Sequence, residues 1–150
     1  MKLITCRYNG AEHTAVVTHG DTQAVMTEDL GYHFRDMNDL IRSTDRSELR
    51  RMEALAQGSG KMIPLNRVEL TAPIPHPVRD VICMGLNYKA HADEMAEALN
   101  EEKKERVYPI YFGKAVDRCL GHGEAVPSHS DFISTLDYEC ELAVILGKDA

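Results

Sequence analysis

The sequence predicts an α+β protein that is mostly β, with a small N-terminal domain over residues 1–70 and a second domain over residues 71–150. Three observations carry this. Short β-branched runs separated by Asn9-Gly10 and Gly20-Asp21 fill the first 35 residues. A stretch of helical period follows at 36–57. Beyond Pro73, Pro75 and Pro77, which exclude helix, apolar runs of strand length flank one helix-forming stretch.

Taken in order, Lys2–Tyr8, Thr14–Thr18 and Thr22–Thr27 read as a β-meander. Its histidines (His13, His19 and His33) are scattered and expected to be exposed. Met37, Leu40 and Ile41, then Leu49, Met52, Leu55 and Ala56, follow helical spacing. Ser43-Thr44-Asp45 interrupts them, Ser47 is available to cap the second helix, and Gly58-Ser59-Gly60 ends it. Mixed charges around that helix read as its solvated face. Val68–Pro77 is an extended connector, and His76 between two prolines reads as structural.

Val81-Ile-Cys-Met84 is a strand of the kind found in sheet cores, broken by Gly85. His91 to Arg106 switches to helix formers, and the charged tail Glu101–Arg106 suits a surface segment or lid. Tyr108–Phe112 is again a strand, with Lys114 just after it. Gly121-His-Gly123 is a loop lacking the third glycine and following helix of a phosphate-binding fingerprint.

Composition narrows the functional classes. A hydrophobic content of 43% is globular, and a net charge of -7 disfavours a nucleic-acid partner. Four cysteines lie far apart, without zinc or disulfide-scaffold spacing, as in a reduced cytoplasmic protein. The N-terminal apolar run is too short for a signal peptide, and no window approaches a membrane span.

The chemistry-bearing stretch is Leu136–Gly147. Its second half reads as a buried strand. Asp137, Glu139 and Glu141, two apart, then share one face at its mouth. Such a face either attracts a hard cation such as Mg²⁺ or Mn²⁺, or is the solvated side of an edge strand. His91 and Glu94, three apart, share a helix face. They are either a carboxylate-oriented general base or an ordinary exposed pair.

In order and spacing, five landmarks resemble the fumarylacetoacetate hydrolase family. They are Ala72-Pro-Ile-Pro75, Val81-Ile-Cys-Met-Gly-Leu-Asn-Tyr88, His91-x-x-Glu94, Phe112-x-Lys114 and Leu136-Asp-Tyr-Glu-Cys-Glu-Leu-Ala-Val-Ile-Leu-Gly-Lys148. The resemblance implies that residues 71–150 are the first part of a mixed β-roll catalytic domain, in a cytoplasmic homodimer. It implies Glu139 and Glu141 as ligands of Mg²⁺ or Mn²⁺, with Ca²⁺ also admissible. By the same resemblance His91 and Glu94 form a water-activating dyad and Lys114 lines the pocket. Family members add a third carboxylate ligand well downstream. The chain stops at Ala150, so an incomplete catalytic domain is expected, without metal binding or activity as isolated.

The implied activity is hydrolysis of a carbon–carbon bond in an acylpyruvate-like 2-oxo acid or 1,3-dicarbonyl, through a metal-stabilised enolate. Decarboxylation and keto–enol isomerisation share that enolate and stay open. So does a non-catalytic fragment or assembly module. No nucleic-acid or membrane partner is expected.

Overall fold

A computed structural model describes residues 1–100 and 108–148. The chain is α+β and mostly β. It divides into two compact units, Met1–Pro75 with Arg118–Ala150, and His76–Asp117. The charged stretch Glu101–Arg106, expected as a lid, lies outside the described residues.

The first unit is built on a five-stranded antiparallel sheet. Strands β1 (Lys2–Tyr8), β2 (Ala11–Thr18) and β3 (Gln23–Met26) form the meander, flanked by two-residue strands β4 (Ile63–Pro64) and β5 (Glu69–Leu70) in the order β4-β3-β2-β1-β5. The first hairpin pairs Tyr8 with Ala11, so Asn9 and Gly10 alone make the turn. Their φ values of 50° and 81° are left-handed, as a hairpin turn that follows strand twist requires. Side-chain alternation then sends Ile4, Cys6, Ala15, Ala24 and Met26 to one face, where Ile63, Leu65, Val68 and Leu70 cover them. Val16 and Val25 face the other way, onto Met52 and Ala56.

Those two residues come from α2 (Arg46–Gln57), which follows α1 (Met37–Ser43). Both helices start on an aspartate. Asp36 accepts a hydrogen bond from the Asp39 N–H, and Asp45 accepts from the N–H groups of Ser47 and Glu48. Ser47, expected as the cap, instead donates its hydroxyl to Asp45. A carboxylate two residues earlier reaches the free N–H groups better and favours the positive helix end. The backbone hydrogen bond from Glu48, then the Ser47 hydroxyl, hold the Asp45 carboxyl below its usual range.

After the connector, residues 118–124 fold back on Thr71 and Ala72. The Cys119 N–H donates to the Pro75 carbonyl at 2.8 Å. Glu124 accepts from the Gly121 N–H at 3.0 Å and pairs with Arg118. Gly121 is required by space, because a Cβ there would lie 2.9 Å from Thr71 Cα.

The second unit holds β6 (Val81–Gly85), α3 (Lys89–Ala98) and β7 (Ile110–Lys114). The strands form a two-stranded antiparallel ribbon, Val81 opposite Lys114 and Gly85 opposite Ile110. His76 Nδ1 donates to the Asp117 carbonyl at 2.9 Å and closes the unit's ends, the structural role expected of it.

Two expectations of burial fail. Val81, Ile82 and Met84 are exposed, since among the described residues of their unit no second sheet covers the ribbon's apolar faces. Leu136–Gly147 is irregular, and Leu142, Val144, Ile145 and Leu146 are exposed. A strand exists only where its N–H and C=O groups find partners, and no described strand pairs with this stretch.

Candidate functional site

His91 and Glu94 lie on α3, which starts after Tyr88 directly beyond the β6 strand end. Three residues apart, they stand one turn from each other on the same helix face. His91 is half-buried and Glu94 exposed. Lys114 is the last residue of β7, opposite Val81, and its Nζ sits 5.8 Å from the centre of the Phe112 ring. Phe112 and Lys114 are two apart on one strand face, so the ring steadies the ammonium by a cation–π contact. All three side chains belong to the second unit.

Glu139 and Glu141 belong to the first unit, on the irregular stretch described above. Both are exposed, as is Asp137, whose carboxylate accepts from the Tyr138 N–H at 2.9 Å. Carboxylate oxygens are the right donors for a hard divalent cation. Yet no three His, Cys, Asp or Glu side chains converge as a metal site among the described residues. The donor set fits Mg²⁺ or Mn²⁺ in kind but not in arrangement. An irregular backbone also removes the alternation that was to align the three carboxylates on one face.

One functional-looking pair escaped the sequence. His13, expected to be exposed, is largely covered, with Nδ1 2.6 Å from Glu28 Oε1 and Nε2 3.3 Å from the Tyr8 carbonyl. Glu28 sits fifteen residues away in a 3₁₀ turn, Thr27–Leu30, so no local spacing announces the contact. Below it Cys6 is fully buried, and desolvation first, then Glu28 and Glu12, raise its thiol to about 11. That thiol stays protonated at neutral pH and is chemically inert.

The family model for the fumarylacetoacetate hydrolase C-terminal region matches residues 80–150, a span that contains His91, Glu94, Lys114, Glu139 and Glu141. The oxaloacetate tautomerase YisK of Bacillus subtilis is 44% identical over 87 residues, covering 58% of this chain and 28% of that protein. A Staphylococcus aureus protein is 36% identical over 107 residues, covering 69% of this chain and 33% of its own length. The chain thus spans about a third of these curated relatives. With the five landmarks in order and the family model on the residues that carry four of them, the chain belongs, over residues 80–150, to the fumarylacetoacetate hydrolase family.

Proposed function

We propose that the protein is an enzyme that acts on a small 2-oxo acid or 1,3-dicarbonyl through an enolate. What supports this most is the 44% identity to a protein named an oxaloacetate tautomerase. In this reading the His91 imidazole, oriented by Glu94, takes a proton from the carbon next to the substrate's keto group. The electron pair left behind forms the enolate, and protonation on its oxygen completes the keto–enol exchange. Lys114 offsets the charge of a substrate carboxylate.

The second reading is hydrolysis of an acylpyruvate-like carbon–carbon bond. There His91 deprotonates water, the hydroxide adds to a carbonyl, and the bond's electron pair leaves as the same enolate. The relative's name favours tautomerisation, and family membership keeps hydrolysis in play. No step is routed through a metal, because the described carboxylates do not assemble a site. A metal held in part by Glu139 and Glu141, a homodimeric assembly and a cytoplasmic location remain part of the proposal.

The test is keto–enol exchange of oxaloacetate followed by absorbance, beside pyruvate release from an acylpyruvate. His91→Ala is expected to lower turnover by about 100-fold or more. Lys114→Met is expected to raise KM more than it lowers kcat. Full activity in His91→Ala sinks the dyad. No turnover of either substrate by the parent protein favours a non-catalytic assembly module.

A further inference from the structure

A cavity of about 430 Å³ opens on the first unit, between β2, the Thr27–Leu30 turn and the segment leading into α1. Its size falls within the roughly 300–1,000 Å³ of small-molecule sites. None of its lining residues belongs to the span matched by the family model.

The lining is bipolar. Glu12, Glu28 and Asp36 supply carboxylates, and Asp36 is engaged by the Asp39 N–H at the start of α1. Glu28 is committed to His13, whereas Glu12 makes no ion pair among the described residues. His33 and Arg35 come from the segment before α1. The Arg35 side chain is 80% exposed, and its one carboxylate partner, Asp39, lies 3.8 Å from Nε. A guanidinium carries five N–H donors, so most remain for a ligand. Phe34, stacked on Tyr32 at 5.9 Å between ring centres, adds an apolar wall.

We infer that this cavity binds a small zwitterion, a molecule with one ammonium and one carboxylate on a short apolar frame. A simple anion would meet Glu12 and Glu28, and a simple cation would meet Arg35. Only a bipolar ligand answers both at once. Its ammonium takes Glu12, its carboxylate takes Arg35 with His33, and its frame lies on Phe34.

Three probes of matching shape test this by calorimetry on the 150-residue chain: L-phenylalanine, 3-phenylpropionate and 2-phenylethylamine. L-Phenylalanine is expected to bind saturably, each half-ligand at least about tenfold more weakly. Glu12→Gln should weaken L-phenylalanine by about tenfold and leave 3-phenylpropionate unchanged or tighter, since a repelling carboxylate is removed. Arg35→Met should weaken L-phenylalanine similarly and leave 2-phenylethylamine unchanged or tighter. Both substituted side chains are exposed, so the variants keep the parent's melting point. Equal affinity for all three probes, no saturable heat with L-phenylalanine, or variants that bind like the parent would overturn the inference.

Discussion

Ala15-Val16-Val17 and Val144-Ile145-Leu146 are alike on paper, each an apolar, β-prone triplet. In the fold they are opposites. The first is 0%, 1% and 9% exposed, the second 77%, 57% and 71%. The first has β1 on one side, β3 on the other and apolar cover on both faces. The second has no strand partner among the described residues. Strand formation is therefore a property of neighbours more than of composition. The candidate catalytic and metal-binding residues lie in the part of the sequence with the fewer neighbours, and the N-terminal sheet supplies the structure's own stability.

That contrast can be broken by substitution. The largest effect is expected at Met52, which is fully buried against Val16 and Val25. Met52→Ala should cost about 2–5 kcal/mol in urea unfolding. Leu146→Ala, the same kind of truncation in the exposed stretch, should stay within about 0.5 kcal/mol. A similar cost for both would erase the comparison. Gly121→Ala comes next, at about 1–3 kcal/mol, because the backbone of Thr71 and Ala72 cannot yield to a Cβ easily. Chemical denaturation of that variant measures how firmly residues 118–124 are tied to the N-terminal sheet.

A smaller effect is expected with pH. The folded Cys6 thiol titrates near 11 and the unfolded one near 9.0. Between these values the unfolded chain has lost the proton that the folded chain keeps, so stability falls as pH rises through that window. Cys6→Ala should remove this component, seen as a flatter stability–pH curve above pH 9.0. Parallel curves for the two proteins would show that the thiol is not held in the sheet as described. The smallest effect concerns Tyr32, whose hydroxyl is buried with no hydrogen-bond partner among the described residues. Tyr32→Phe should leave the melting point unchanged or raise stability by up to about 1 kcal/mol. A clear loss would reveal a partner for that hydroxyl.

Much of the first unit was legible in the sequence because its signals are local. Asn9-Gly10 names its own turn, β1 keeps the Lys2–Tyr8 bounds read from the sequence, and the helical period at 37–56 gives both helices. The capping of α2 was misread by two residues, since Ser47 and Asp45 are both good caps and only geometry separates them. His13–Glu28 and the cavity beside it were illegible, as they arise from chain segments brought together by the sheet. In the family segment the motifs were legible as motifs. Their state was not: the apolar stretch after Glu141 reads as buried on hydropathy alone, and hydropathy carries no information on whether a neighbouring strand exists.

The most direct measurement is amide hydrogen exchange resolved by residue on the 150-residue chain. Slow exchange is predicted in β1, β2 and β3, where the amides are paired within a covered sheet, and fast exchange across Leu136–Gly147. Protection of Val144, Ile145 and Leu146 equal to that of Ala15, Val16 and Val17 would contradict the account, because it would require a strand partner for the acidic stretch.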